Sequence, residues 1–354
     1  MSTMRDEIRQ QPAAIERTLK AEWRHAEKLR AMFQKNPPRL IVLAARGTSD
    51  NAAQFGRYLL EITTGIPVSL AAPSVYTLYG AKVNLTGALV VAISQSGEST
   101  DTNMVMERAK EAGAVTIGIT NEGESALARL ADHTFLVRAG KEKSVAATKT
   151  YTGQLACLYL LAYALGAPIG QPDLDRLPAW SDAALKLEPE MNARAERYCF
   201  MRHAVCIGRG INYSNSFEFA LKLMETCYVV AERFSSADLL HGPIAMLEAL
   251  FPAFVFGAAG PSWKPIGELI VKLQELKAET LVITDRSNVE AKSLPGATVV
   301  MIPAALARKD PLPADIFTPI PYIIPAQFFA ASLAQLKRLD PDKPRTLSKV
   351  TQTL

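Results

Sequence analysis

The sequence predicts an α/β protein of two tandem, doubly wound units, each a parallel sheet with helices on both faces. Short apolar runs rich in Val and Ile alternate with helical patterns, as buried parallel strands do. The halves also repeat: Gly-Ile-Thr-Asn at 118–121 meets Val-Ile-Thr-Asp at 282–285, so Thr120 falls on Thr284. The same spacing brings Thr134 onto Thr298 and the run 89–93 onto 253–257, which marks an internal duplication. A length of 354 residues agrees, being too long for one ordinary core.

In chain order, residues 1–35 read as a helical segment with one amphipathic stretch. Residues 36–170 form the first unit, read as strand, helix, strand, helix, strand, helix, strand. A connector over 171–197 starts at Gln171-Pro172-Asp173-Leu174 and runs on as one charged amphipathic helix. Residues 198–338 repeat the unit, with Arg209-Gly210 answering Arg46-Gly47, Gln327 answering Gln154, and an insertion near 308–315. Residues 339–354 are left as a tail.

Hydrophobic content of 49% and charge of 21% are those of a globular protein. The net charge of +4 is scattered, with no basic run interleaved with aromatics, so nucleic acid is not an expected partner. The most apolar segment, 155–165, falls short of the roughly 20 residues of a membrane span. The acidic residues Asp6, Glu7 and Glu16 argue against a signal peptide, and a cytoplasmic location is the expectation. Cys157, Cys199, Cys206 and Cys227 lack paired spacing and are expected to be reduced, buried thiols. Of His25, His133, His203 and His241 only His203 has a cysteine nearby, Cys206, so no metal site is expected.

The most informative segment is 94–100. Ser94, Ser96, Ser99 and Thr100 with the amide of Gln95 follow the apolar run 88–93, and Asp101-Thr102-Asn103 opens a helix behind them. At such a strand-to-helix turn the first helical N–H groups and the positive dipole end favour an anion. Gly97 lets the backbone come close. The competing reading is a serine-rich turn that caps its own helix. A second turn, Gly47-Thr48-Ser49, also follows a strand, and ligands of doubly wound sheets sit outside the carboxyl ends of strands. The two turns are therefore expected to share one crevice and bind a phosphate. In the second copy Ala258, Ala259 and Gly260 replace Ser94, Gln95 and Ser96, which leaves one phosphate site per chain. Gly208-Arg209-Gly210 is half a dinucleotide fingerprint followed by Ile211-Asn212-Tyr213, so a nicotinamide cofactor is not expected. No other cofactor is implied.

Six ordered pieces carry a resemblance: M-R-D-E-I-R-Q-Q-P at 4–12, Gly47-Thr48-Ser49, 94–100, 145–150, Leu239-Leu240-His241-Gly242-Pro243, and Pro344-Arg345-Thr346-Leu347-Ser348-Lys349. Together they resemble the duplicated sugar isomerase (SIS) domains, and in particular the isomerase half of glucosamine-6-phosphate synthase. The resemblance implies two tandem SIS domains with a C-terminal tail over the active site. It implies that Ser94, Gln95, Ser96 and Ser99 bind a sugar phosphate and that Thr48 and Val145 line the hexose, with Gly47, Ser49 and Lys222 among the binding residues. The pattern departs at Ala147, where the family has serine, and at Met224, where it has lysine, while Lys222 and Glu225 match.

The resemblance also implies a homodimer with a shared active site, each histidine reaching the other subunit. The synthase carries a glutaminase domain with a terminal cysteine, whereas the first cysteine here is Cys157. The expectation is thus the deaminase branch, which turns glucosamine 6-phosphate and water into fructose 6-phosphate and ammonia. Ring opening needs a group that exchanges protons near neutrality, and His241 with an ordinary pKa of about 6.5 suits it. Glu225, closing the apolar-faced helix 217–226, is the expected C2-to-C1 proton shuttle. Lys349 would polarise an enolate oxygen or form an imine with the open-chain carbonyl. Lys149 is either structural or a cation near the phosphate loop. Other phosphosugar isomerases and sugar-amine phosphate deglycases fit the same residues. A sugar-phosphate sensor of this fold would add a helix-turn-helix, which residues 1–35 do not spell.

Overall fold

The computed structural model describes residues 2–308 and 311–347. The first sheet consists of β1 (Leu40–Ala45), β2 (Val68–Leu70), β3 (Ala88–Ile93), β4 (Val115–Thr120) and β5 (His133–Leu136). All its pairs are parallel, in the order β2-β1-β3-β4-β5. The second sheet holds β6 (His203–Gly208), β7 (Val230–Ser235), β8 (Pro252–Phe256), β9 (Glu279–Asp285) and β10 (Thr298–Ile302). Its order, β7-β6-β8-β9-β10, reproduces the first.

Each sheet thus has five strands where the sequence pattern reads four. The additional strands are the edges β2 and β7, and neither has a buried strand's signature. β2 has three residues, and β7 is largely exposed with Glu232 and Arg233 in its middle; edge strands are commonly short or charged.

Val42, Ala44, Val90 and Ala92 of β1 and β3 meet Val105, Met106 and Ala109 of the helix Thr100–Glu111. In the second unit Val205, Ile207, Val255 and Val282 meet Ile266, Leu269, Ile270 and Leu273 of the helix Trp263–Glu275. Each unit also contains one helix buried along nearly its whole length, Lys149–Ala164 in the first and Pro319–Leu336 in the second. These are apolar all round, as central helices are. The long helix Gln11–Lys35 packs on Lys149–Ala164. No helix among the described residues is long and apolar enough to cross a membrane.

The chain divides into two compact units that interleave in sequence. Among the described residues the first gathers 10–142, 147–176 and 346–347, and the second gathers 2–9, 143–146 and 177–345. Hydrogen bonds explain why the N-terminus joins the second unit. The Asp342 carboxylate accepts the N–H groups of Thr3 and Met4, both at 2.7 Å, at the start of the helix Thr3–Arg9. The Glu7 carboxylate accepts the N–H groups of Lys143 at 2.5 Å and Ser144 at 3.1 Å.

Two expectations are corrected. The connector is three helices, Gln171–Leu174, Leu177–Leu185 and Glu188–Glu196. Pro178 and Pro189 stand in the first turns of the second and third, where a missing N–H is tolerated but an uninterrupted helix is not. Cys199 is exposed, while Cys157, Cys206 and Cys227 are buried.

Candidate functional site

In a sheet of order 2-1-3-4-5 the connections leave in opposite directions from β1 and β3, and a crevice opens between their carboxyl ends. β1 and β3 pair in register to their last residues, Ala45 opposite Ile93. The turns 46–49 and 94–99 therefore emerge side by side. An ion pair ties them: Arg46 Nε and Nη2 lie 3.0 and 2.7 Å from Asp101 Oδ2. Asp101 is buried in the first turn of the helix Thr100–Glu111, while the Arg46 side chain is half exposed.

Within the turn, the Gly97 N–H donates to Ser94 Oγ at 3.1 Å and the Glu98 N–H donates to Ser96 Oγ at 3.3 Å. A hydroxyl that accepts in this way still has its own proton to donate. Ser99 is the N-cap of the helix, but its hydroxyl makes no capping bond and instead meets Thr102 Oγ1 at 2.9 Å. This distinguishes the loop from a turn that merely caps its own helix. The backbone is held from behind, where the N–H groups of Asn121 and Leu127 donate to Gln95 O and Gly97 O at 3.1 and 3.0 Å.

Gly97 has φ +67°, and a side chain there would run into Ser125 and Thr120. Glycine is thus needed for packing against Ser125 as well as for backbone conformation. Thr48 is half-buried beside the exposed Gly47, whereas Ser49 is buried and accepts a bond from Gln154 Nε2 at 2.9 Å. Lys149 is buried, and its ammonium donates to Gln10 Oε1 at 2.8 Å and Lys141 O at 2.9 Å, a structural arrangement.

Lys222, Glu225, His241 and Val145 belong to the second unit. Lys222 is fully buried in the helix Tyr213–Cys227, and its ammonium lies 3.4 Å from Glu218 Oε1 and 2.6 Å from Glu225 Oε2. Buried charges persist only when paired. Lys222, expected among the substrate contacts, is paired here with both carboxylates. Glu225 keeps 23% of its side chain exposed while Glu218 has none, so Glu225 alone of the three can meet a solute. His241 is exposed and ends the helix Ser236–Leu240. Val145 donates its N–H to Asp342 O at 3.1 Å, which fastens the segment 143–146 to the beginning of the tail. Ala147 is half-buried. Lys349 lies outside the described residues.

Sequence reasoning did not single out Arg46, Glu218 or Asp342. Arg46 had a signal, since Arg-Gly recurs at 209–210. Glu218 had one in its spacing of one helical turn from Lys222. Asp342 acts through contacts distant in sequence and had none.

Known proteins extend this picture. A family pattern, the SIS domain, matches residues 36–164 and 201–307. The glutamine–fructose-6-phosphate aminotransferase (isomerizing) of Pyrococcus horikoshii is 35% identical over 352 residues, which is 98% of this chain and 57% of that protein. The chain thus spans little more than half the length of this relative. Among solved structures, the C-terminal domain of the glucosamine-fructose-6-phosphate aminotransferase of Francisella tularensis has a TM-score of 0.87 at 26% identity, covering 97% of this chain and 98% of that one. A glucosamine-6-phosphate deaminase of Thermotoga maritima shares the fold, with a TM-score of 0.76 at 20% identity over 99% of this chain and 100% of its own. With both of its sheets inside the matched segments, the chain belongs to the SIS-domain family.

Proposed function

We propose that this chain is an aminosugar-phosphate isomerase that deaminates glucosamine 6-phosphate to fructose 6-phosphate and ammonia. The observation that carries the reading is the pair of turns at the β1/β3 switch point, tied by Arg46 and Asp101 and bearing the hydroxyls of Thr48, Ser94, Ser96 and Ser99. A hydroxyl-lined turn at a helix N-terminus suits a phosphate dianion. The sugar phosphate and the isomerising step in the Pyrococcus relative's name are the part of its activity these residues fit.

The reaction balances with water as the only co-reactant. Ring opening breaks the C1–O5 bond while His241 passes the O1 proton to O5. Glu225 takes the C2 proton and returns it at C1, with Lys349 stabilising charge at the oxygen or carrying the carbonyl as an imine. The resulting C2 imine adds water and expels ammonia. Lys222 fixes the Glu225 carboxylate at 2.6 Å, so that one group can serve both carbons. His241, exposed on its unit, is proposed to serve a site completed by a second copy in a cytoplasmic homodimer.

The test is incubation with glucosamine 6-phosphate and no glutamine, measuring ammonia and fructose 6-phosphate. Equimolar release of both is expected, and Glu225→Gln should lower kcat by about 10² to 10⁴. Turnover of glucose 6-phosphate without ammonia from the amino sugar would replace the reading with an aldose–ketose isomerase, for which Ala147 supplies an altered pocket wall.

A further inference from the structure

The turns 46–50 and 94–102 hold three carboxylates, Asp50, Glu98 and Asp101, and a single cation, Arg46. A phosphate monoester carries a charge of about −1.5 to −2 at pH 7. A helix N-terminus offsets only about half a charge, and hydroxyls bond the oxygens without offsetting any. The balance therefore calls for Arg46.

The geometry leaves its guanidinium able to answer. Nε and Nη2 both donate to Asp101 Oδ2, which holds the group beside the first turn of the helix Thr100–Glu111. Glu98 does not compete, since its carboxylate accepts the Ala126 N–H at 3.0 Å. Among the described residues Nη1 makes no hydrogen bond, and the Arg46 side chain is half exposed. Asp101 thus occupies the side of the guanidinium that carries Nε. The other edge, formed by Nη1 and the second N–H of Nη2, keeps the fork that phosphate oxygens accept in pairs.

We propose that Arg46 is a substrate-binding residue, the ion-pair partner of the phosphate at the β1/β3 switch point, with Asp101 positioning it. The inference rests on the phosphate site of the proposed function and names the charge that completes it.

Inorganic phosphate, titrated calorimetrically into the full chain, is the probe, with thermal unfolding as the check on folding. Arg46→Met alone deprives the buried Asp101 of its Arg46 counter-ion, which is destabilising. The deciding variant is therefore Arg46→Met with Asp101→Asn, which removes both charges and nearly keeps their shape. It should bind phosphate about 10- to 100-fold more weakly than the wild type. Asp101→Asn alone, whose amide oxygen still accepts from the guanidinium, should weaken binding far less. In the double variant KM for glucosamine 6-phosphate should rise with a smaller change in kcat. Wild-type affinity in the folded double variant overturns the proposal, because Arg46 would then serve only to neutralise Asp101. Arg46→Lys keeps the charge without the fork and should bind less tightly than the wild type; an unchanged affinity there overturns the paired contact. Phosphate binding that depends on Arg46, without release of fructose 6-phosphate from the amino sugar, upholds the assignment and overturns the deaminase reading alone. A wild type that binds no phosphate overturns both the site and the role of Arg46.

Discussion

At the scale of single residues, partners decide what a side chain can do. Glu218, Lys222 and Glu225 are one charged group, and only the carboxylate with a solvent-facing edge is available for chemistry. His25 shows the opposite case, a titratable group with a poor environment. It lies against Phe135 and His133, ring centres 5.1 and 5.9 Å away, and its Nε2 is buried without a hydrogen-bond partner. Burial lowers its pKa from 6.5; His133 and Lys28 add to the shift and Glu22 opposes it. A base whose folded pKa is depressed contributes stability above its unfolded pKa, and this is lost as pH falls through the folded value. Stability should therefore decline below about pH 6.5, and His25→Phe should flatten that decline. Urea unfolding at pH 7.5 and 5.5 checks it, and an equal decline in the variant would assign the effect elsewhere.

At the scale of elements, the repeat shows how one scaffold carries two different turns. In the first copy the β1/β3 switch point is lined by hydroxyls. In the second, the corresponding turns after β6 and β8 meet Ala314, Asp315 and Thr318, just before the helix Pro319–Leu336. Gly260, at φ +128°, allows Ala314 and Asp315 to approach so closely that a side chain would press on both. Ser262, the N-cap of Trp263–Glu275, donates to the Asp315 carboxylate at 2.8 Å, and Asn212 donates to Thr318 Oγ1 at 2.7 Å. A built-in carboxylate thus stands at this helix start, and burial pushes its pKa up. The loop of the first copy makes the next prediction. Gly97→Ala should cost about 1–3 kcal/mol of stability and weaken phosphate binding, because it adds backbone strain and collides with Ser125. Ser125→Gly in the same chain should recover part of the loss in thermal unfolding. A double variant no better than the single one would show that the collision is unimportant.

At the scale of the whole molecule, duplication with divergence leads to a stoichiometry. The strand order is the same twice, but the turn that bears Ser94, Gln95 and Ser96 and is tied to Arg46 in the first copy has Ala258, Ala259 and Gly260 in the second, with Asp315 packed against it. Calorimetric titration with a sugar phosphate is expected to give one site per chain. Ser94→Ala together with Ser96→Ala should reduce affinity about tenfold or more, since each hydrogen bond to a charged group contributes on the order of 1.5–3 kcal/mol. Two equivalent sites per chain would refute the closure by Asp315.

The sequence by itself determined the α/β class, the duplication, four strands of each sheet with its central helix, and the hydroxyl-bearing turn. These properties follow from apolar periodicity and from residues adjacent along the chain, which short-range chemistry makes visible. The edges β2 and β7 were not legible, because β2 has only three residues and β7 carries Glu232 and Arg233 in its middle, so neither shows an apolar run. The one-helix reading of the connector failed for a local reason, its prolines. The tertiary structure decided the rest. It tied Arg46 to Asp101, gave the Lys222 ammonium to two carboxylates, and brought Thr3, Val145, Tyr228 and Arg345 into contact with one another's neighbours through Asp342 and the tail. Residues far apart in sequence meet only when folding has closed the loops between them. Their partners are therefore set by the packing of helices and sheets and leave no periodic trace in the chain.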